Sequence, residues 1–486
     1  MRVEVVGQVK STLPVDDDHP YRTGPWRPNR VEYDATDLDV QGELPDDLEG
    51  VYLRNTENPV HEAIGVYHPF DGDAMLHAVH FHGGRADYRN RFVRTVGFEA
   101  EQAAGESLWA GLAEPPSRSL RTDGWGARGR MKDASSTDVV VHGGRALTSF
   151  YQCGDLYALD PFTLEQLGRE TWDGRFPSDV GVSAHTKSDE NTGELLFFGY
   201  STRAPYLHYG VVDRNHQLVH AIDVPLPGPR LPHDMAITQQ YAILNDCPLF
   251  WDPDLLARGH YAARFHADLP TRFAIVPRRG KSTDVQWFEA EPTYVLHWIN
   301  AYEDGDEIVL DGFFQGDPAP RHREGGGQLE RMFRFLALDR MQTRPHRWRF
   351  NLATGTTKEE DLSDSIMEFG MMNARHAGRR HRFTYAMTGV PGWFLFDGIV
   401  KFDVDTGAEE RYRFPDGVFA SETPFAPRTG GTAEDDGYLV TFVTDMNEDR
   451  SECLVFAAAD LAGGPIARLA LPERISSGTH SCWAPA

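Results

Sequence analysis

The stretch from residue 291 to residue 303 reads EPTYVLHWINAYE and contains one histidine, His297. An apolar run leads into this histidine, and the polar side chains of Asn300, Tyr302 and Glu303 follow it. A short apolar run that gives way to alternating polar positions is typical of a buried β-strand. The stretch therefore predicts a mostly buried strand that ends at a polar centre.

Three other histidines stand in similar surroundings. One buried histidine is most often a hydrogen-bonded core residue, so His297 alone would not indicate a functional site. The four histidines are separated by 48, 64 and 183 residues (185 to 233, 233 to 297 and 297 to 480). They can converge only in a fold that brings distant strand ends to a common axis. The three stretches are SAHTK around His185, LPHDMAIT around His233 and SGTHSCW around His480.

The rest of the chain alternates short apolar strands with turns. The first predicted strands cover 51–55, 77–81, 91–96, 139–141 and 146–152. Six stretches rich in Asp, Asn and Gly, at 159–164, 188–193, 212–216, 351–355, 402–407 and 459–464, have the composition of hairpin turns. Hairpins repeated at intervals of tens of residues favour an all-β propeller with blades of four strands over a large sandwich.

The chain offers no linker that would divide it. We expect residues 1–45, rich in Pro and Asp, to form an arm packed on a single propeller domain that spans 46–486. Two stretches interrupt the alternation. Residues 98–130 look helical and then irregular, and 249–269 carry apolar groups that look exposed. Long insertions on a rigid β scaffold often form lids and tunnel mouths, although ordinary surface loops would give the same pattern.

Composition excludes several classes of partner and compartment. The 486 residues carry a net charge of −25, so a nucleic-acid backbone is not an expected partner, and we expect no adhesion to anionic lipid unless an apolar patch provides it. The first residues lack a signal-peptide pattern, and no stretch is long and apolar enough for a membrane helix. Four scattered cysteines without a CxxC pair suit a reducing compartment, and we predict a cytoplasmic protein.

Several longer motifs occur in a fixed order from Gly50 to the end of the chain. Together they resemble the carotenoid cleavage oxygenase family, which includes lignostilbene dioxygenases and the retinoid isomerohydrolase. The motifs are GVYLRNTENP (50–59), HPFDGDAMLH (68–77), RNRFVRT (89–95), the four histidine stretches, EDDGY (434–438) and GTHSCW (478–483).

The resemblance implies a seven-bladed β-propeller whose axis holds Fe(II), with loops and helical insertions forming a lid and tunnel above the metal. The implied ligands are His185, His233, His297 and His480. Four neutral imidazoles leave an octahedral iron two adjacent positions for dioxygen. A structural zinc site would need a cysteine ligand set, and a calcium site would need clustered oxygen ligands.

The resemblance also implies acceptors behind the ligands, since metal-bound histidines donate their second N–H to an orienting group. Family glutamates match Glu368 and Glu422, whereas the third position holds Gln152, or Tyr151 if the gap falls one residue later. We therefore expect only two carboxylates around the iron, a sum of zero charge (+2 − 2), and looser binding or a higher potential than with three. Thr137 matches a family threonine beside an open coordination position.

The implied reaction inserts dioxygen at an alkene and releases two carbonyl products. Phenol-cleaving relatives place a lysine where this chain has Phe150 or Tyr151, and Lys132 lies upstream of that position. This difference favours an apocarotenoid or similar polyene over a phenolic alkene, which stays the alternative. The candidate tunnel residues are Phe70, Phe98, Trp109, Phe150, Trp251 and Phe313, with Lys132.

Two readings without alkene cleavage stay open at this point. An iron-dependent isomerase or hydrolase could use the same scaffold, and a propeller without chemistry could bind a ligand. The first would not consume dioxygen, and the second would not hold stoichiometric iron. The sequence leaves the oligomeric state open.

Overall fold

The structure, a computed structural model, describes residues 1–322, 324, 330 and 333–486. Within these residues the chain folds into antiparallel β-sheets joined by short loops, which confirms the predicted all-β class. The helices that it describes are short. They are the α-helices Val96–Ala104, Pro253–Leu256 and Leu338–Met341 and the 3-10 turns Gly24–Trp26, Pro69–Asp71, Pro116–Arg118, Trp172–Gly174, Ser282–Asp284 and Ala374–His376.

Four sheets have four strands each, in an order that follows the chain. The first is β8 (Asp138–His142), β9 (Arg145–Ser149), β10 (Tyr157–Leu159) and β11 (Gln166–Arg169); the second is β12 (Lys187–Asp189), β13 (Glu194–Tyr200), β14 (Leu207–Val212) and β15 (Leu218–Asp223). The third is β16 (Ala236–Ile237), β17 (Tyr241–Asp246), β20 (Thr271–Pro277) and β21 (Gln286–Ala290); the fourth is β22 (Trp298–Asp304), β23 (Glu307–Gln315), β24 (Thr343–Asn351) and β25 (Thr356–Asp361).

A sheet of seven strands joins the two ends of the chain. Its order is β1-β2-β7-β6-β4-β35, with β5 paired to β6. The pairing of the last strand with β4, in which Ser481 lies opposite Arg54, places His480 next to a strand from the beginning of the chain. The strands are β1 (Arg2–Gln8), β2 (Val31–Thr36), β4 (Gly50–Arg54), β5 (Glu57–Asn58), β6 (Asp73–His82), β7 (Arg85–Phe92) and β35 (Ser481–Pro485).

A sheet of ten strands covers the carboxyl-terminal third of the chain. Its order is β26-β27-β28-β30-β32-β33-β34-β3, with β29 on β28 and β31 on β32. The strands are β26 (Glu368–Met371), β27 (Phe383–Gly389), β28 (Phe396–Asp403), β29 (Glu409–Arg413), β30 (Val418–Ala420), β31 (Phe425–Pro427), β32 (Gly437–Asp445), β33 (Arg450–Ala457), β34 (Pro465–Ala470) and β3 (Val40–Gly42).

The predicted turns all join strands that pair with each other. The six stretches lie between β10 and β11, β12 and β13, β14 and β15, β24 and β25, β28 and β29, and β33 and β34. In the fourth of these turns Asn351 Oδ1 accepts hydrogen bonds from two backbone N–H groups, and Gly355 has a φ of +71° that favours glycine. Short-range chemistry is enough to set these hairpins, so their prediction is confirmed.

The amino-terminal residues and the two insertions contain short regular elements. Within residues 1–45, β1, β2 and β3 extend two sheets at their edges. The insertion at 98–130 has the expected helix followed by irregular chain. The insertion at 249–269 contains a small hairpin, β18 (Leu249–Trp251) with β19 (Ala263–Phe265), around one helical turn.

Seven strands line a central channel with a volume of about 510 Å³. The residues at its wall come from β8, β12, β16, β22, β26, β31 and β35. Each candidate histidine lies just before one of these strands, three residues before β16 in the case of His233 and one residue before β22 in that of His297. The expected strand leading into His297 is therefore wrong, because the strand starts after it.

The residues before His297 do not form a strand because their backbone groups form hydrogen bonds with side-chain hydroxyls. Thr293 N donates to the hydroxyl of Thr271, and Gln315 N donates to the hydroxyl of Thr293. Val295 packs in the core without belonging to a strand. Side-chain oxygens take the place of a ladder partner here, so a buried apolar run does not have to be a strand.

One core cluster supports the strand that follows His297. Trp298 on β22 packs against Trp348 on β24, with ring centroids 5.3 Å apart, and both contact Phe273. Trp348 is fully buried. The position of His297 therefore depends on a packed aromatic core behind it.

Replacing Trp348 tests this support. We expect Trp348→Ala to lower the free energy of unfolding by about 3–5 kcal/mol, since it leaves a large cavity in a close-packed core. Chemical denaturation followed by fluorescence would measure the change. Trp393→Ala is the matched control, because 45% of that side chain is exposed, and it should cost less than about 1 kcal/mol. Equal losses of stability in the two variants would contradict the assignment of Trp348 to the core that supports β22.

Candidate metal centre

The four histidine rings meet at the end of the central channel. His185 and His233 have their Nε2 atoms 3.2 Å apart. Five of the ring pairs have centroid distances between 4.6 and 5.3 Å: 185–233, 185–297, 185–480, 233–297 and 297–480. One ring nitrogen from each of His185, His297 and His480 lies within 4.8 Å of the others. The rings are thus close enough to share one ion.

The electrostatics of the cluster suit a cation bound by neutral imidazoles. Burial lowers the pKa of His185, His233 and His297 well below the usual histidine value, and neighbouring imidazoles lower it further. His297 Nε2 is buried and has no hydrogen-bond partner in the described part of the chain. Such an orphaned nitrogen is costly unless it coordinates a metal.

His480 and the acids around it also fit a cation. Although burial acts to lower it, the neighbouring Glu422 carboxylate raises the pKa of His480 to about 9. Burial raises the pKa of Glu368 to about 8, although hydrogen bonds and the neighbouring His480 act to lower it. A divalent ion among the imidazoles would supply the missing positive charge. The residues present therefore fit a metal ion of the kind that the family resemblance implies.

Three carboxylates face the second ring nitrogens. His297 Nδ1 lies 2.7 Å from Glu368 Oε2, and His480 Nδ1 lies 3.3 Å from Glu422 Oε1. The third is Asp138, whose Oδ2 lies 3.3 Å from His185 Nδ1. The sequence analysis counted two carboxylates and missed Asp138. The available signal was an acidic residue directly after Thr137 at the start of a predicted inner strand.

The other predicted site residues lie close by, with different contacts. Gln152 is buried, but its Oε1 has no hydrogen-bond partner among the residues that the structure describes, so it orients no histidine. Tyr151 packs against His233, with ring centroids 5.7 Å apart. Thr137 is buried, and its hydroxyl accepts a hydrogen bond from Tyr151 N. This bond fixes the loop that carries Tyr151.

One side of the histidine cluster is a wall of aromatic rings. Phe369 lies 4.6 Å from His297 and 5.0 Å from His480 between ring centroids. Phe394 connects it to Phe70, which in turn contacts Tyr151. The sequence analysis selected Phe70 and missed Phe369 and Phe394, because nothing in a local pattern shows which buried aromatic ring will face a histidine.

The remaining predicted tunnel residues separate into two groups. Phe150, Trp109 and Lys132 line a second, smaller cavity. Phe98, Trp251 and Phe313 pack in hydrophobic clusters of the core, against Phe92, Tyr200 and Ile299 respectively. These three residues were predicted to line the tunnel, but in the structure their side chains pack in the hydrophobic core.

Comparison with known proteins assigns the chain to one family. The model of the retinal pigment epithelial membrane protein family matches residues 26–485. The chain belongs to this family, that of the carotenoid cleavage oxygenases. It is 31% identical to carotenoid 9,10(9′,10′)-cleavage dioxygenase 1 of Pisum sativum over 97% of this chain and 90% of the relative. It is 30% identical to isoeugenol monooxygenase of Pseudomonas nitroreducens over 96% and 98%.

Solved structures of the family agree in fold. The lignostilbene dioxygenase of Pseudomonas brassicacearum superposes with a TM-score of 0.85 at 27% identity, covering 98% of this chain and 100% of that one. Cobalt-substituted apocarotenoid oxygenase of Synechocystis gives 0.81 at 27% identity, covering 94% and 97%. These relatives support oxidative alkene cleavage as the chemistry of this member. Among the described residues, no helix has both the length and the apolar character to span a bilayer.

In this carotenoid cleavage oxygenase, polar bonds connect the inner strands to one another around the channel. Lys187 Nζ lies 2.6 Å from Asp234 Oδ1, and Asp234 Oδ2 accepts a hydrogen bond from Trp298 N. These three residues stand two, one and one positions after His185, His233 and His297. Glu422 Oε2 similarly accepts from Ser481 N, next to His480. The histidines are therefore positioned by cross-links between their strands.

Removing the ammonium of Lys187 tests this cross-link. Lys187→Met leaves the buried Asp234 carboxylate without its cation, and we expect the free energy of unfolding of the metal-free protein to fall by about 3 kcal/mol. Chemical denaturation would measure it. Asp234→Asn in the same chain should recover much of the loss. Lys358→Met is the control, since the Lys358 side chain is 75% exposed and its ion pair should contribute less than about 1 kcal/mol. No loss in Lys187→Met would contradict the cross-link.

Proposed function

We propose that the protein is an Fe(II)-dependent dioxygenase that cleaves a conjugated carbon–carbon double bond into two carbonyl products. One observation is central to the proposal: four buried imidazoles converge, and three have a carboxylate at their second nitrogen. Relatives of the chain are named as dioxygenases and oxygenases of alkenes. The reaction balances as one alkene and one dioxygen giving two C=O groups.

The proposed iron ligands are His185, His233, His297 and His480. These four neutral imidazoles would hold Fe(II), which would supply the activation of dioxygen when bound. Among the described residues, none of the four cysteines joins the histidines in a group that could hold a metal, although Cys482 lies at the channel wall. Dioxygen and a small apolar or aromatic alkene are the partners that this chemistry requires.

The residues of the chain orient and protect the reaction. Glu368 and Glu422 hold the rings of His297 and His480 so that the opposite nitrogen points to the centre. The wall formed by Phe70, Phe369 and Phe394 gives a planar alkene flat surfaces to lie against and keeps water away. Tyr151 and Thr137 form the neighbouring edge of the site.

We also propose that residues 46–486 form one seven-bladed propeller on which residues 1–45 pack as an arm. The support is the set of seven strands at the channel wall, and the pairing of β35 with β4 that would close the ring. The ten-stranded sheet supports two of the blades, joined through β30. A closed ring explains how four histidines from distant parts of the sequence share one axis.

The proposed substrate is an apocarotenoid or a similar polyene, because the wall beside the histidines is apolar and aromatic. One observation favours a phenolic alkene instead. Lys132 is buried at the second cavity, where Nζ lies 2.7 Å from Glu101 and 2.9 Å from Asp73. An ammonium and two carboxylates can both donate to and accept from a neutral phenol, whereas their net negative charge opposes a phenolate.

Dioxygen uptake by the Fe(II)-loaded protein tests the function. The panel contains an apocarotenal, a 4-hydroxystilbene and a 4-vinylphenol. We expect uptake with two carbonyl products formed per dioxygen consumed, and loss of at least about 100-fold in His297→Ala because a ligand is missing. Leu167→Ala, a change of an exposed residue on β11, serves as the folded control. Iron bound without uptake would contradict the dioxygenase and favour an isomerase, and absence of bound iron would refute the site.

Lys132 distinguishes the two substrate classes. If a phenol binds there, Lys132→Met should raise KM for the phenolic alkene about 10-fold or more, since a charge-assisted hydrogen bond is lost. The KM for an apocarotenal should change less than about 2-fold. Steady-state kinetics on both substrates would measure this. Equal effects on both classes would show that the Lys132 cluster is structural.

A further inference from the structure

The carboxylate of Asp138 is aimed at His185 by its own strand. Asp138 is the first residue of β8, at the wall of the central channel, and its side chain is almost fully buried. Its Oδ1 accepts a hydrogen bond from Val139 N at 2.7 Å, and its main-chain oxygen accepts one from Asn55 Nδ2 at 3.0 Å. Backbone and side chain are therefore both fixed, so the free oxygen has a defined direction.

The other carboxylate oxygen of Asp138, Oδ2, lies close to two nitrogen atoms of His185. Asp138 Oδ2 accepts a hydrogen bond from His185 N at 3.1 Å and lies 3.3 Å from His185 Nδ1. His185 has a φ of +64°, a left-handed conformation that is strained for a residue with a side chain. A strained backbone persists only where its surroundings hold it, and here Asp138 bonds directly to the strained residue. The same oxygen thus restrains both the backbone and the ring.

Gln152, at the position of the third family glutamate, does not restrain a histidine in the way that Asp138 does. Gln152 brings no charge, and its Oε1 has no hydrogen-bond partner within the described residues. The three carboxylates around the cluster are therefore Asp138, Glu368 and Glu422, which serve His185, His297 and His480. In the described part of the chain, His233 has no carboxylate at hydrogen-bond distance and packs against Tyr151 instead.

We propose that Asp138 is a positioning residue for the metal, which holds the His185 ring with Nδ1 toward its carboxylate and Nε2 toward the ion. This inference rests on the iron site proposed above. It predicts that His185 is firmly oriented by a carboxylate, whereas the described residues give His233 no such carboxylate. A carboxylate at residue 152 would then be unable to replace Asp138, because it could not reach the same ring nitrogen.

Anaerobic Fe(II) titration of four full-length proteins tests the proposal: the natural chain, Asp138→Asn, Gln152→Glu and the double variant. Asp138→Asn keeps the size of the side chain but removes its charge and leaves one acceptor oxygen for the N–H groups of Val139 and His185. We expect the Kd for Fe(II) to rise about 10- to 100-fold. The double variant restores three carboxylates without restoring the partner of His185, so its Kd should stay raised. Wild-type affinity in the double variant would overturn the proposal, since total charge would then suffice.

A spectroscopic readout separates orientation from folding. The nitric oxide adduct of the Fe(II) protein should give one EPR species in the natural chain and a broadened or mixed signal in Asp138→Asn. Thermal unfolding of the metal-free variants controls for misfolding. Unchanged Kd and an unchanged EPR spectrum in Asp138→Asn would overturn the proposal.

The natural chain allows the same test if Asp138→Asn does not fold. With ¹⁵N-labelled histidine and Zn(II) in place of iron, His185 should carry its proton on Nδ1, and a proton on Nε2 would overturn the proposal. All these measurements read metal binding or ring geometry. An iron-binding protein that consumed no dioxygen would therefore refute the proposed function while leaving Asp138 in its role.

Discussion

Four imidazoles buried at the end of one channel are the constraint on which the rest of the structure depends. Their ring centres lie about 5 Å apart, and burial makes each a costly polar group. Such a cluster is stable when its ring nitrogens have defined partners. Carboxylates supply one partner for His185, His297 and His480, and the convergence of the rings provides a place for a cation as the other. The channel, the inner strands and the aromatic wall all serve this arrangement.

The strands meet this constraint by bonding to one another next to the histidines. Asp138, Asp234 and Glu422 each accept a hydrogen bond from the backbone of a neighbouring histidine segment. A shift of one strand would therefore disturb the ring that it carries and the ring beside it. On the other side, Phe369 packs against two of the rings and joins them to the aromatic wall. Hydrogen bonds between the strands determine the geometry of the histidine cluster, and the aromatic wall determines which molecules can reach it.

The sequence was informative where the physics is local. The hairpin turns follow from Asp, Asn and Gly chemistry over a few residues, and all six join paired strands. The histidine stretches could be recognised because long motifs surround them. Local patterns could not show that His297 precedes its strand, since the hydroxyl groups of Thr271 and Thr293 replace ladder partners across the sequence.

Long-range pairings account for the other differences. Asp138 looks like an ordinary polar start of a strand until the fold brings it to His185, which lies 47 residues further along the chain. Phe98 and Trp251 look like tunnel residues because they stand in insertions, but they bury their rings in the core. Gln152 stands at the position of a family glutamate, and only the contacts show that its Oε1 has no hydrogen-bond partner among the described residues. A single sequence does not contain these pairings.

The most direct test of this account is X-ray absorption at the iron edge of the anaerobic Fe(II)-loaded protein. The account predicts a shell of nitrogen ligands with the multiple scattering of four imidazoles and no carboxylate bound directly to iron. Three or fewer imidazoles, or carboxylate oxygens in the first shell, would contradict the central claim that four histidines bind the metal while the acids orient them.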